Sequence, residues 1–310
     1  MVKGRFAPSP SGRMHLGNLF SALLAWLSVR SQGGVMLLRM EDLDPDRCRE
    51  EYAAQVARDL EWLGLDWDEG YGAGGSSGPY RQSERGELYA QAFQSLEKSG
   101  LTYPCYCTRA ERLAASAPHA GERLDVYDGR CRRRSPEELE ELAGRRRPAW
   151  RVKVPGREIS FTDGLQGAVR ENLARDCGDF IIRRSDGVWA YQLAVTVDDG
   201  MMGVTEVVRG RDLLSSTPRQ LWLLEELGFP APAYTHVPLL LAPDGRRLSK
   251  RDRDMDVEAL RDTKTSREIT GELAFLCGLL PKPEAVTPRE LIPLFSWQKV
   301  ISDNLFTPKC

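Results

Sequence analysis

The chain opens on a short apolar segment, Val2–Phe6, that reads as a strand and stops at Pro8-Ser9-Pro10-Ser11-Gly12, a run of turn formers. Leu16, Leu19, Phe20, Leu23, Leu24 and Leu27 then recur at helical spacing, which predicts a helix from Leu16 to Val29. Val35-Met36-Leu37-Leu38-Arg39-Met40 is an apolar run of strand length, as in a sheet covered on both faces. Strand, loop, helix, strand is a βαβ unit, so the class expected is α/β with a Rossmann-like, doubly wound parallel sheet. Tyr52, Val56, Leu60 and Leu63 mark a helix from about Arg47 to Leu63, and Asp68–Pro79 is a glycine-rich loop. A further helix spans about Glu84–Glu97. Strands are predicted at Trp150–Val154, around Phe180–Ile182 and at Val204–Val208, and a helix at Ser216–Leu227. A last strand, Val237–Leu241, precedes the Asp244-Gly245 turn. There is no internal repeat and no low-complexity linker.

Composition narrows the class without changing it. The 310 residues are 41% hydrophobic and 28% charged, an ordinary globular balance. No apolar stretch approaches the ~20 residues that cross a bilayer. Met1–Phe6 lacks a signal-peptide core, so a cytoplasmic location and no membrane partner are expected. A net charge of -2 argues against non-specific coating of nucleic acid. The clusters Arg130, Arg132, Arg133, Arg134 and Arg145, Arg146, Arg147 suit either a solvated basic surface or RNA-backbone contact.

Of seven cysteines, Cys48, Cys177, Cys277 and Cys310 stand alone, which is not a disulfide framework. Cys105, Cys107 and Cys131 fall within 27 residues and suggest a tetrahedral zinc site. A fourth ligand is needed: His119 and Tyr127 are the candidates, Asp125 and Asp128 weaker ones. General zinc chemistry favours the imidazole of His119.

Two short segments carry phosphate chemistry. His15-Leu16-Gly17-Asn18 sits on the first turn of a helix that follows a strand, where free backbone N–H groups favour anions. Gly17 lets a nucleotide approach the backbone, and His15 and Asn18 can donate to phosphate oxygens. No Gly-Lys-Ser/Thr follows, which excludes a P-loop. Arg247-Leu248-Ser249-Lys250-Arg251 follows the Asp244-Gly245 turn, and a lysine on such a loop can neutralise a departing pyrophosphate.

Together, in this order and on these elements, the two segments resemble the His-Ile-Gly-His and Lys-Met-Ser-Lys-Ser signatures of class I aminoacyl-tRNA synthetases. Arg5-Phe6-Ala7-Pro8-Ser9-Pro10, Arg39-Met40-Glu41-Asp42-Leu43-Asp44, Tyr191-Gln192-Leu193-Ala194, Val208-Arg209-Gly210 and Ser216-Thr217-Pro218-Arg219-Gln220 resemble the glutamyl/glutaminyl branch. The resemblance runs from residue 3 to about 260. Asn18 replaces the second signature histidine, Arg247 the first lysine and Arg251 the last serine. Cys-x-Cys followed by Tyr-x-x-x-Cys is similar to the pattern of glutamyl-Q tRNA(Asp) synthetases, which makes Tyr127 rather than His119 the implied fourth ligand. Those enzymes are short paralogues of glutamyl-tRNA synthetase, and with 60 residues after Lys250 no anticodon-binding domain of the usual kind is expected here.

The resemblance implies tRNA-independent, ATP- and Mg²⁺-dependent activation of L-glutamate to its adenylate, by a ligase. Transfer then goes to the queuosine base in the anticodon stem-loop of tRNA(Asp). His15, Gly17, Asn18 and Lys250 are expected at ATP. Arg5, Phe6, Ala7, Pro8, Ser9, Glu41, Tyr191 and Arg209 are expected around glutamate, and one structural zinc at Cys105, Cys107, Tyr127 and Cys131. Two carboxylates on the substrate call for two arginines. The implied organisation is a catalytic domain in two halves, 1–100 and 149–242, interrupted by a zinc-binding insertion at 101–148. The signature loop and a short helical tail follow at 243–310, and the expected state is a monomer. The alternatives are a truncated glutamyl-tRNA synthetase charging the 3′ end of tRNA(Glu), and a non-catalytic RNA-binding module. The tail from about Arg289 to Cys310 matches no motif.

Overall fold

The computed structural model describes residues 1–107, 126–127, 129–242, 245–246 and 256–306. Elements β1 (Lys3–Phe6), α1 (Leu16–Ser31), β2 (Val35–Leu38), α2 (Glu50–Leu63) and β3 (Glu69–Gly70) come first. Next are α3 (Gly86–Lys98), β4 (Thr102–Cys105), α4 (Pro136–Arg145), β5 (Ala149–Val152), β6 (Glu158–Asp163), β7 (Gly167–Asn172), α5 (Leu173–Asp176) and β8 (Phe180–Arg183). Then come α6 (Tyr191–Met201), β9 (Glu206–Gly210), α7 (Thr217–Glu226), β10 (Ala233–Val237) and β11 (Leu240–Leu241). The last are α8 (Val257–Thr263), α9 (Ser266–Leu276), α10 (Pro288–Leu291) and β12 (Leu305–Phe306).

The main sheet is parallel throughout and runs β3-β2-β1-β9-β10. Strand order reverses at β1, the topology of a doubly wound sheet, whose ligands bind beyond the strand ends at that point. Helix α1 is packed from all sides, with Leu19, Phe20, Leu23, Leu24, Trp26, Leu27 and Val29 buried. It lies so close to β1 that a Cβ at Gly4 would meet Val29 Cγ2 at 2.3 Å. Beside the main sheet, β4-β5-β8 form an antiparallel sheet and β6-β7 a hairpin. No described helix is long and apolar enough to cross a membrane.

Several boundaries differ from the sequence reading. Helix α2 starts at Glu50 rather than Arg47, because the amides of Arg47 and Cys48 turn back onto Asp44 O and Arg49 is extended. Strand β9 begins at Glu206 because Val204 N still bonds Asp199 O and closes α6. The expected strand Val237–Leu241 is split at Pro238, which has no N–H to give a ladder. Residues Ala233–Val237 join the main sheet, whereas Leu240–Leu241 pairs with Leu305–Phe306. That pairing gives the unmatched tail a place: Leu291, Val300 and Leu305 are buried in the core around α1. The hairpin β6-β7 and helices α4 and α6 had not been read from the sequence.

Candidate active site

A cleft of about 530 Å³ opens where β1 and β9 end. It is lined by Arg5, Phe6, Ala7, Pro8, Ser9, His15, Gly17, Asn18, Glu41, Tyr191 and Arg209, all singled out from sequence. Leu16 instead points into the core. The segment Arg247–Arg251, with Lys250, lies outside the described residues. Its flanks border the cleft: Leu240 lines it, and Asp256 forms an antiparallel bridge with His15.

The rim beside α1 is organised by a reciprocal cap. His15 Nδ1 accepts the Gly17 N–H at 3.1 Å, while Asn18 Oδ1 accepts the His15 N–H at 3.0 Å. The imidazole is thereby fixed over the helix start, and a Cβ at Gly17 would press on its ring at 3.1 Å. Because Nδ1 accepts, the ring's remaining proton sits on Nε2. In this geometry the asparagine that replaces the second signature histidine holds the backbone of the first, while Gly17 holds its ring.

Beneath this rim lies a buried ionic network that the sequence reading missed. Arg39, with no exposed side-chain surface, donates to Asp199 at 2.8 Å and to Glu41 at 3.2 Å. Arg5 reaches the same Asp199 at 3.3 Å. The neighbouring Asp198 takes Arg85 at 2.6 Å, Gln82 at 2.8 Å and the Tyr89 hydroxyl at 3.0 Å. One carboxylate therefore sets Arg5, and one guanidinium sets Glu41. Backbone bonds from Arg39 N to Phe6 O and from Glu41 N to Pro8 O tie both to the Arg5–Ser9 segment. Burial raises the Glu41 carboxyl, with Arg39 and Arg5 opposing. Burial would raise Asp199 too, but Arg5 and Arg39 outweigh it and hold it below the usual carboxylate range. The signal for this hub was present in Asp198-Asp199, two adjacent acids that follow the mostly apolar stretch Leu193–Val197 within one helix.

Arg209 differs. It is 6% exposed and meets only neutral acceptors: His236 Nε2 at 3.0 Å, Thr217 Oγ1 at 2.8 Å, and Tyr191 Oη and Leu213 O at 3.4 Å. No described carboxylate lies within ion-pair distance of it. A buried cation without a counter-ion is strongly disfavoured, so the cleft as built is complementary to an anion. Tyr191, first residue of α6, is raised above the ordinary phenol range by burial, with Arg209 opposing.

The second constellation lies at β4 and the short turn after Gly129. The sulfurs of Cys105, Cys107 and Cys131 lie within 4.8 Å of one another. Cys107 Sγ is 3.7 Å from Cys131 Sγ, and Tyr127 Oη is 3.4 Å from Cys107 Sγ and 3.6 Å from Cys105 Sγ. Sulfurs about 2.3 Å from one zinc stand about 3.8 Å apart at the corners of a tetrahedron, and an oxygen ligand about 3.5 Å from each sulfur. The cluster fits that shape and could hold a metal ion. Outer partners are also in place: Arg151 Nε donates to Cys105 Sγ at 3.2 Å, and Tyr106 N to Cys131 Sγ at 3.4 Å. The rival ligands His119, Asp125 and Asp128 lie outside the described residues.

Comparison with known proteins places this geometry in a family. The chain is 51% identical over 312 residues to a glutamyl-Q tRNA(Asp) synthetase of Symbiobacterium thermophilum, covering 99% of this chain and 96% of that one. It is 40% identical to a glutamate–tRNA ligase of Sulfurihydrogenibium, covering 97% of this chain but 63% of that one. Among solved structures it resembles a glutamate tRNA ligase from Elizabethkingia meningosepticum in complex with its amino acid. That match has 29% identity and a TM-score of 0.82, over 98% of this chain and 66% of the other. The family model for class I tRNA synthetases (E and Q), catalytic domain, matches residues 1–305, and the chain belongs to that family.

Proposed function

We propose that the chain activates L-glutamate with ATP, without RNA, and transfers it to the queuosine base of tRNA(Asp). The observation that carries the first step is the meeting, in one cleft, of two buried arginines, Glu41 and the His15 helix start. Arg5 and Arg209 receive the two carboxylates, Glu41 and Ser9 the α-ammonium, and the Tyr191 hydroxyl closes the pocket, with Phe6–Pro8 as its backbone wall. His15, Gly17 and Asn18 hold the phosphate chain of ATP. An α-carboxylate oxygen attacks the α-phosphorus as the bond to the bridging oxygen of pyrophosphate breaks. No covalent enzyme intermediate forms, so positioning and neutralised charge lower the barrier. Lys250 follows the departing pyrophosphate, and magnesium entering with ATP supplies further charge neutralisation.

The acceptor is supported by identity spanning nearly the whole of both chains with relatives named for it. A hydroxyl of the queuosine cyclopentene-diol attacks the glutamyl carbonyl and AMP leaves, which requires no catalytic group beyond those that serve a ribose hydroxyl. Zinc at Cys105, Cys107, Tyr127 and Cys131 is structural, since four protein ligands leave no open position. In this reading 1–100 and 149–242 are the catalytic domain, 101–148 the metal-bearing insertion and 243–310 the signature loop and tail. The protein acts as a cytoplasmic monomer. The test is to supply labelled glutamate and ATP with separate purified tRNAs and locate the labelled nucleotide. Label at the modified base of tRNA(Asp) is expected, and label on the terminal ribose of tRNA(Glu) would overturn the acceptor.

A further inference from the structure

Arg209 is aimed by a device that reaches the hairpin β6-β7, outside the cleft lining. His236 stands beside it on β10, in register with it, and is fully buried. The Arg209 Nε–H can only donate, so the His236 Nε2 it meets at 3.0 Å must accept. The ring proton therefore sits on Nδ1, which lies 2.6 Å from Asp163 Oδ2 at the end of β6. Thr217 completes the set, taking Arg209 at 2.8 Å and lying 3.1 Å from the same Nε2. Asp163 is itself pinned: its Oδ1 accepts the backbone N–H groups of Leu165 at 3.0 Å, Gln166 at 2.9 Å and His236 at 3.1 Å.

We propose that Asp163 and His236 are positioning residues for substrate binding: the carboxylate locks His236 in its Nδ1–H tautomer, and the ring then presents Arg209 to a glutamate carboxylate. This rests on the reading of Arg209 as a glutamate-binding residue. The alternative tautomer would set two N–H groups against each other at 3.0 Å and drive the guanidinium from its place. A carboxylate enforces the choice because it only accepts, whereas an amide can present either face. Protonated His236 would oppose Arg209 in the same way. The charged groups facing the ring are Asp163 from β6, Arg209 from β9 and, at longer range, Asp212 from the turn after β9. Burial holds the ring down at about 4, with Asp163 opposing and Arg209 reinforcing, so it stays neutral near pH 7.

The geometry makes Asp163→Asn a selective test. The amide oxygen should stay on the three backbone N–H groups, which puts the amide nitrogen where Oδ2 faces His236. The ring must then accept at Nδ1 and carry its proton on Nε2, against Arg209. The chain has three histidines, so nitrogen-15 long-range correlation spectra, with His236→Gln to assign the signal, read each tautomer directly. The wild type should show Nδ1–H at His236 and Asp163→Asn should show Nε2–H. The variant's KM for glutamate in pyrophosphate exchange should rise about 10- to 100-fold, with the KM for ATP unchanged. A wild-type Nε2–H tautomer would overturn the proposal even if the variant fails to fold. So would a flipped tautomer with an unchanged glutamate KM. Absence of any glutamate-dependent exchange in the wild type would instead sink the assignment of the substrate, with the tautomers still legible.

Discussion

Glutamine differs from glutamate by one charge, and the cleft is built around that charge. Arg5 and Arg39 are matched by Asp199 and Glu41, whereas Arg209 meets only neutral acceptors at hydrogen-bond distance. Asp198 and Arg85 cancel one another below. In the proposed pose each carboxylate of glutamate meets one of Arg5 and Arg209, whereas glutamine leaves one buried guanidinium facing an amide. Losing a hydrogen bond to a charged group costs about 1.5–3 kcal/mol, or about ten- to a hundredfold in kcat/KM. Pyrophosphate exchange without tRNA, with each amino acid varied in turn, measures the ratio. Arg209→Met should weaken glutamate use strongly and bring the two substrates closer together. Wild-type selectivity below about threefold, or full selectivity in Arg209→Met, would refute the reasoning from charge.

Cys105→Ser should lose bound metal on elemental analysis and lower the melting temperature, whereas a variant that keeps one zinc per chain would remove Cys105 from the ligand set. Tyr127→Phe should also release zinc; retention there with loss in His119→Ala would reassign the fourth ligand. Lys250→Ala should slow adenylate formation far more than it raises the KM for glutamate, because its charge is needed where pyrophosphate separates. An unchanged exchange rate would take it out of the mechanism. His236 has its folded pKa depressed from an ordinary 6.5 to about 4, so the unfolded chain binds the proton more readily between those values. Its contribution to stability is therefore complete above pH 6.5 and is lost as pH falls toward 4, about 2 kcal/mol by pH 5. Urea unfolding at pH 7.5 and 5 should show a drop that shrinks in His236→Gln, and an equal drop in both proteins would deny the linkage.

How much of this was legible in the sequence divides along a physical line. The first βαβ unit could be read because Leu16–Leu27 repeats at helical spacing and Val35–Leu38 is uniformly apolar, so local pattern and burial agree. The cleft residues could be read because they cluster in contiguous motifs. Arg39, Asp199, Asp163 and His236 could not be given roles, because their meaning lies in pairings of residues 160 and 73 positions apart. Pro238 shows the same limit at smaller scale. It divides an apolar run that looks like one strand, and only the pairing of Leu240–Leu241 with Leu305–Phe306 tells where the second half goes. His236 sits in the strand Ala233–Val237, buried from Tyr234 onward, and its role shows only once Arg209 is seen beside it.

The most direct test of the central claim uses a short hairpin with the anticodon stem-loop sequence of tRNA(Asp), made once with queuosine and once with guanosine. With ATP and labelled glutamate, the queuosine hairpin should become labelled and resist periodate cleavage of its diol, and the guanosine hairpin should remain unlabelled. Equal labelling of both hairpins, or labelling only of the terminal ribose of an intact tRNA(Glu), would contradict the account.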